Sequence, residues 1–395
     1  MLIRNKSILK NLIIDLNHVI CDKKVELFKL NKELTVDTNY WILEDYRAII
    51  FYLKNYIKNH YDVNLINKIK PKGKILIMLS YNEPFILSII PILNALVVGN
   101  EVILKPSRGA EKFIKIIWQE SGIIKKYGLK LSIVSPKTHN GINNFIKSVR
   151  SVYFFGSYRV AQKIAKICGN HYIEFYPEVE SADIKIFNKK LSDIKSDVAL
   201  TLRDSFNHSG QTCQRIQGIF VNQLFYNDYL QALKQEFISL CQSERLIKFV
   251  DDNYLSDRGD LLESLLTDIK KSQPDKIIKI KELPLLIIKP QLKSGFVKNA
   301  YFLPVLWILP FKSEVELIKI LKSRKFFQGL NIQSYNNDFN CNIIDNTKFT
   351  RYTVNRAHTN IGAKEGWGAS WPSGFSGYKS WLEHFSDGYV VINKS

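Results

Sequence analysis

Apolar residues recur three and four positions apart through 36–64, at Trp41, Leu43, Tyr46, Ile49 and Ile50, which predicts a helix. Pro71-Lys72-Gly73 breaks that pattern. Beyond it, short apolar runs alternate with longer amphipathic stretches. Strands are predicted over 74–79, 101–104, 130–134 and 151–155, and helices over 85–98, near 110–127, over 141–149 and over 158–168. The turns between them carry the expected residues, Ser80-Tyr81-Asn82-Glu83-Pro84, Gly99-Asn100 and Gly156-Ser157. Strands alternating with helices at this spacing imply parallel βαβ units and an α/β fold built on a doubly wound sheet.

The alternation continues with strands over 172–175 and 184–187, a helix ahead of Cys213, a strand over 216–221 and a helix over 223–241. Strands over 285–288 and 305–309 and a helix over 314–321 follow. A chain of 395 residues exceeds what one hydrophobic core fills, so two units are expected. We place the boundary near residue 190, giving 1–190 with a helical part over 1–70, then 191–365. A Gly-, Ser- and Trp-rich loop over 362–377 runs into a closing segment, 366–395, which carries an apolar run over 389–393.

Composition narrows the classes. With 46% hydrophobic and 24% charged residues the chain is globular. The net charge of +19 attracts anions, but the lysines are scattered among Ile and Asn and form no nucleic-acid motif, so no specific nucleic acid is expected. An anionic cofactor such as NADPH or coenzyme A gains from such a field. The five cysteines, Cys21, Cys168, Cys213, Cys241 and Cys341, are odd in number and show no Cys-x-x-Cys spacing, which argues against disulfides and against a metal site. The longest apolar run, 85–98, contains Pro91 and Asn94 and is too short to cross a bilayer. A cytoplasmic protein is the expectation.

Cys213 is the most informative single residue. It sits in Asn207-His208-Ser209-Gly210-Gln211-Thr212-Cys213, between a predicted helix and an apolar strand, where a reactive group is held on a rigid scaffold. A thiolate there is a nucleophile that forms acyl or hemithioacetal intermediates. A buried, inert cysteine is the alternative.

Five segments, in order from about residue 71 to the end, resemble the aldehyde dehydrogenase superfamily. Ser80-Tyr81-Asn82-Glu83-Pro84-Phe85 is similar to its Trp-Asn-Phe-Pro turn, and Gly99-Asn100-Glu101-Val102-Ile103-Leu104-Lys105-Pro106-Ser107 to its Gly-Asn-x-Val-x-x-Lys-Pro-Ser strand end. Val152-Tyr153-Phe154-Phe155-Gly156-Ser157 resembles the Phe-Thr-Gly-Ser turn, and Gly210-Gln211-Thr212-Cys213 the nucleophile motif. Tyr301-Phe302-Leu303-Pro304-Val305 resembles the Glu-x-Phe-Gly-Pro-Val segment.

The resemblance implies a two-domain fold, with a Rossmann-type dinucleotide-binding domain over 1–190 and a second α/β catalytic domain over 191–365. Residues 366–395 would return to the cofactor domain or to a partner subunit, as in a homodimer. It implies Cys213 as nucleophile and the Asn82 amide as oxyanion donor, whose plain alternative is an Asx turn. Glu174 would be the general base that activates water, although Tyr176-Pro177 replaces the Gly-Gly that follows it in the family; Glu178 and Glu180 are nearby alternatives, and a plain strand-end carboxylate is the other reading. Lys105 and Ser107 fall where the family holds the adenine ribose. Arg108 stands where NAD-preferring members carry a glutamate, and a guanidinium pairs with a 2′-phosphate, so NADP is expected, with NAD as the alternative. Gly156 and Ser157 would receive the pyrophosphate at a helix N-terminus, although Ala161 replaces a second glycine there. Phe302 would pack on the cofactor, while Ala300 and Leu303 replace the family's glutamate and glycine. Trp367, Trp371, Phe375 and Trp381 are candidates for an apolar tunnel, or for anchors of the Gly-rich loop.

The leading expectation is oxidation of an aldehyde to an acid through a Cys213 thioester. Its rival is the reverse chemistry, in which an acyl thioester such as an acyl-coenzyme A is reduced to an aldehyde by NADPH. A reading of another class is a scaffold or basic binding protein that keeps the fold without the chemistry.

Overall fold

Strands dense in Ile, Leu and Val bury both faces, and this chain uses them to build two sheets. The computed structural model describes residues 4–136, 138–189, 194–243, 245–246, 249–251, 253, 259–279, 282–324, 328–358 and 380–388. Its strands are β1 (Ile69–Pro71), β2 (Lys74–Met78), β3 (Glu101–Lys105), β4 (Leu131–Ile133), β5 (Ser151–Phe155), β6 (Glu174–Glu178) and β7 (Asp183–Asn188). They continue with β8 (Ile216–Asn222), β9 (Lys276–Ile278), β10 (Leu285–Ile288), β11 (Val305–Phe311), β12 (Gly329–Ser334), β13 (Arg351–Val354) and β14 (Ser386–Gly388).

The first sheet has the order β4-β3-β2-β5-β6, all parallel. Such sheets are covered on both faces, which explains why Val152, Tyr153, Phe154 and Phe155 are all buried. One cover is the helix Pro84–Val98, which is apolar nearly all round. Its Asn94 is buried and accepts a hydrogen bond from Tyr56 Oη (2.9 Å) while donating to Tyr52 Oη (2.8 Å), tying it to the helix Asn39–His60. Two helices, Lys6–Asp22 and Lys24–Thr35, precede that one. Their apolar stripe of Leu9, Leu12, Leu16, Ile20 and Leu27 enters the same core.

The second sheet has the order β13-β12-β7-β8-β11-β10-β9, parallel except for the β9–β10 pair. Its centre is fixed by a close approach: a side chain at Gly218 on β8 would meet the Trp307 ring of β11 at 2.1 Å. β12, Gly329-Leu330-Asn331-Ile332-Gln333-Ser334, is fully buried despite its polar residues. Asn331 and Gln333 are satisfied by Thr353 and the Arg356 carbonyl.

The first sheet ends with β6 at Glu178, and β7 opens the second at Asp183. The first sheet therefore presents the C-terminal ends of its parallel strands to the space between the sheets, where ligands bind in such folds, and the second sheet meets it with the segments that lead into β8 and β11. Near the end of the chain, β14 pairs antiparallel with β1, and Trp381 and Phe385 pack beside Tyr153 in the first sheet's core. Trp381 is thus part of that core and not of a tunnel. Trp367, Trp371 and Phe375, the loop over 362–377 and the run over 389–393 lie outside the described residues. Among the described residues no helix is long and apolar enough to cross a membrane.

Candidate active site

Between the sheets lies a cleft of about 540 Å³ that is lined by both of them. Cys213, Asn82, Glu83, Gly156, Ser157, Glu178, Glu180 and Phe302 all face it.

The loop that carries Cys213 has an unusual backbone. His208, Ser209 and Gly210 take successive left-handed conformations, with φ of 51°, 55° and 83°. Non-glycine residues rarely adopt this region, and here the surroundings hold them in it. Ser209 N–H donates to the Phe249 carbonyl, and Gln211 Nε2 reaches the Thr35 carbonyl at 3.0 Å. A Cβ on Gly210 would come within 2.6 Å of the Leu303 and Pro304 backbone, so only glycine lets that segment close over the loop. Just beyond the cysteine, the buried Arg215 donates to the carbonyls of Val305 and Tyr301, and Gln217 bonds Asn299 and Tyr301. These two polar residues at the start of an apolar strand fasten the Phe302 segment beside Cys213.

Asn82 is brought to the same place by the β2 turn. Its Oδ1 accepts from Ser80 Oγ at 2.7 Å, and its Nδ2 donates to the Gln211 carbonyl at 3.2 Å and towards Glu83 at 3.4 Å. The amide therefore touches the nucleophile loop directly.

Glu174 is not at the cleft. It starts β6, and in a parallel strand that end lies away from the C-terminal edge where the cleft opens. There it accepts from Lys72 Nζ (2.6 Å) and Tyr176 Oη (2.8 Å), with Arg150 and Asp387 in the same ion-pair group. Burial acts to raise its pKa, but Lys72, Tyr176 and Arg150 outweigh it and hold the carboxyl below its ordinary value. It is a structural carboxylate, and the expected general base is corrected accordingly. The β6 carboxylate that reaches the cleft is Glu178, at the other end of the same strand. Gln328 Nε2 lies 3.2 Å from Glu178 Oε1 and 3.8 Å from Cys213 Sγ, linking the two.

On the first sheet's side, Lys105 ends β3 and donates to the Pro106 carbonyl at 3.2 Å. Burial lowers its pKa. Ser107 Oγ beside it is shielded from solvent and has no hydrogen-bond partner, while Arg108 is exposed. Ser157 caps the helix Tyr158–Asn170 through Val160 N–H, and Glu180 accepts from Tyr158 N–H at 2.5 Å. An acidic side chain thus occupies a helix end expected to receive an anion.

The electrostatics around the sulfur are unfavourable to a free thiolate. Burial first, then Glu83, Glu178 and Asp183, push the Cys213 pKa well above its ordinary value, against a smaller opposing effect of Arg351. The half-buried thiol is therefore protonated at neutral pH, unlike the thiolate expected from sequence, and needs a base. Behind Glu83 lies a buried chain that the sequence did not announce: His208 Nδ1 to Asp37 (2.5 Å) and His208 Nε2 to Asp45 (3.3 Å). Burial opposes charging this imidazole, but Asp45 and Asp37 hold its pKa well above the ordinary value.

A parallel dinucleotide-type sheet facing a second α/β sheet across a thiol-bearing cleft defines the class of the protein. The sequence profile of the aldehyde dehydrogenase family matches residues 8–248. The chain belongs to the aldehyde dehydrogenase family. It is 23% identical over 286 residues to the 4,4′-diapolycopene aldehyde oxidase of a Methylomonas species, covering 68% of this chain and 51% of that one. It is 24% identical over 282 residues to the dimeric NADP-preferring aldehyde dehydrogenase of Mus musculus, covering 68% and 59%. The chain spans about half the length of the curated relatives it matches. Among solved structures, the putative aldehyde dehydrogenase PutA of Anabaena variabilis superposes with a TM-score of 0.81 at 15% identity, over 96% of this chain and 87% of that one. A salicylaldehyde dehydrogenase of Pseudomonas putida G7 gives 0.81 at 16% identity, over 96% and 84%.

Proposed function

We propose that the protein oxidises an aldehyde to a carboxylic acid through a thioester on Cys213, with NADP as the redox cofactor. The observation that carries this reading is the meeting of Cys213, Asn82 and Glu178 on one cleft between the two sheets. Attack by sulfur on the carbonyl carbon places negative charge on oxygen, and the Asn82 amide with the Cys213 N–H is suited to receive it. Release of the acid needs water to be deprotonated next to the thioester, and Glu178 is the carboxylate on that side, oriented by Gln328.

NADP, when bound, supplies the acceptor for the hydride that leaves the substrate carbon. The residues present fit it in one respect: the partnerless, shielded Ser107 hydroxyl, two residues beyond Lys105, suits ribose hydroxyls. Arg108 is exposed, and its guanidinium suits a 2′-phosphate, while Gly156, Ser157 and Phe302 line the cleft with Cys213. The pyrophosphate has to take over the Tyr158 N–H from Glu180. Arg108→Ala should raise the KM for NADP roughly tenfold, the worth of one charge-assisted hydrogen bond, and leave the KM for NAD unchanged. A wild-type preference for NAD in the same steady-state assay would refute the assignment.

Asn82→Ala should lower kcat by about 100- to 1000-fold, the effect of losing one preorganised donor. The decrease should appear equally in kcat/KM, because the bond strengthens as the oxyanion forms. Product analysis decides the direction. Acid formed from aldehyde and NADP supports oxidation, whereas aldehyde formed only from acyl-coenzyme A and NADPH would reverse the reading.

A further inference from the structure

The turn ahead of the helix Pro84–Val98 carries a carboxylate, Glu83, where the family motif quoted above carries phenylalanine. Glu83 lines the cleft with Cys213. Its Oε1 lies 3.4 Å from the hydroxyl of Thr212, the residue next to the nucleophile, and its Oε2 lies 3.4 Å from the Asn82 amide. A carboxylate in the place of an apolar ring, beside a thiol that must lose its proton, has a chemical use.

We propose that Glu83 accepts the proton of the Cys213 thiol as the sulfur adds to the substrate carbonyl. This inference rests on the thioester reading above. In the step, the S–H bond breaks and the proton moves to a Glu83 oxygen. The sulfur electron pair forms the S–C bond, and the carbonyl π pair moves to oxygen as the oxyanion. Glu83 ends neutral, so it no longer competes for the Asn82 amide at the moment the oxyanion needs it. The carboxyl returns its proton to solvent before the next cycle.

The surroundings tune Glu83 for this task. Burial is the main influence that raises its pKa, His208 opposes it, and Asp45 adds to it, leaving the group pushed up to about 7. A base with a pKa near the working pH is the most effective one. The groups facing it are Asp45 on the helix Asn39–His60, Asp37 on the turn before that helix, and His208, Thr212 and Cys213 on the nucleophile loop. Glu178 approaches the same sulfur from β6. Glu178 remains the base for water, so two carboxylates serve the two halves of the reaction.

The test uses the full chain with the variants Glu83→Gln, Glu83→Asp and Cys213→Ala, assayed with aldehyde and NADP and by iodoacetamide alkylation of the Cys213 peptide. Glu83→Gln should lose about 100-fold in kcat/KM and the acid limb near pH 7. Its Cys213 should nevertheless alkylate at lower pH than in the wild type, because one of the carboxylates that raise the thiol pKa is gone. Turnover and thiol reactivity moving in opposite directions is a result that mere structural damage does not give. Glu83→Asp should recover at least tenfold over Glu83→Gln and restore the acid limb. Retention of wild-type turnover and acid limb in Glu83→Gln, a parallel fall of both readouts, or no recovery in Glu83→Asp would each overturn the proposal. Wild-type turnover in Cys213→Ala would overturn the thioester reading itself, whereas an inactive Cys213→Ala beside an unimpaired Glu83→Gln removes only the base.

Discussion

Replacing Cys213 by alanine should abolish aldehyde oxidation, with kcat falling at least about 10⁴-fold, as when a covalent nucleophile is removed from an otherwise intact site. Among the described residues Cys213 is the only thiol that lines the cleft. Asn82 and Glu178 can still polarise a carbonyl and a water, but no bond to the substrate carbon forms without the thiol. The fold should persist, because the side chain is half-buried at the edge of the cleft and contributes little apolar burial. Circular dichroism and dinucleotide binding should therefore match the wild type while formation of the reduced dinucleotide disappears. Alkylation gives an independent readout. Cys21 and Cys341 are exposed and should react first, so the modified peptide has to be identified by mass spectrometry. Labelling at Cys213 should appear only at alkaline pH, since burial and the carboxylates of Glu83, Glu178 and Asp183 keep its thiol protonated below that. Saturating aldehyde should slow it. Undiminished turnover in the alanine variant, or labelling at Cys213 that is already complete at neutral pH, would contradict this account of the site.

The parallel framework was legible in the sequence because its signals are local. The runs over 74–79, 101–104 and 151–155 are continuous apolar segments bounded by Gly, Pro and Asn, and β2, β3 and β5 coincide with them to within a residue. The resemblance located Cys213 and Asn82, and the structure sets both on one cleft. Polar strands were less legible. β12 alternates Leu and Ile with Asn and Gln and reads as solvated, yet it is buried because Thr353 and the Arg356 carbonyl satisfy its amides. That compensation depends on partners more than twenty residues away. The helices Lys6–Asp22 and Lys24–Thr35 fall in the helical part expected over 1–70, but their bounds were not legible for a related reason: their apolar stripes are interrupted by Asn and Lys, and packing on the helix Asn39–His60 completes them.

Glu174 illustrates the limit most clearly. β6 reads Glu174-Phe175-Tyr176-Pro177-Glu178, with a carboxylate at each end, and local pattern cannot say which end faces a ligand. The parallel register decides it. Glu178 lies opposite Phe155, immediately before the Gly156-Ser157 turn, whereas Glu174 lies opposite Ser151 at the far end of the strand. Glu83 was visible in sequence only as a departure from a motif. Its meaning came from Asp45, Asp37 and His208, three residues on two distant segments that no spacing rule connects.

Asp183→Ala should be the most destabilising of the single substitutions considered, by about 3–5 kcal/mol, the cost of breaking a buried ion pair by removing one partner. Asp183 opens β7 and is completely buried. Its Oδ2 accepts from Arg351 (2.8 Å) and lies 2.8 Å from His358 Nε2, while its Oδ1 accepts from Ser181 Oγ (2.6 Å) and Gly329 N–H (2.9 Å). No room exists for a compensating side chain, since a Cβ on Gly329 would already meet Asp183 at 2.4 Å. Removing the carboxylate takes an ion-pair partner from the buried Arg351 guanidinium and the acceptor from the Gly329 N–H. The loss should show as a lower urea midpoint with an unchanged slope. It should also reach the active site, because Gln328, the neighbour of Gly329, links Glu178 to Cys213, and a loosened β12 leaves both less well held. The double variant Asp183→Leu with Arg351→Met removes both members of the pair and should be less destabilised than Asp183→Ala, which breaks a buried pair by removing one member. A change of less than about 1 kcal/mol in Asp183→Ala, or a double variant less stable than the single one, would show that this network does not hold β7, β12 and β13 together.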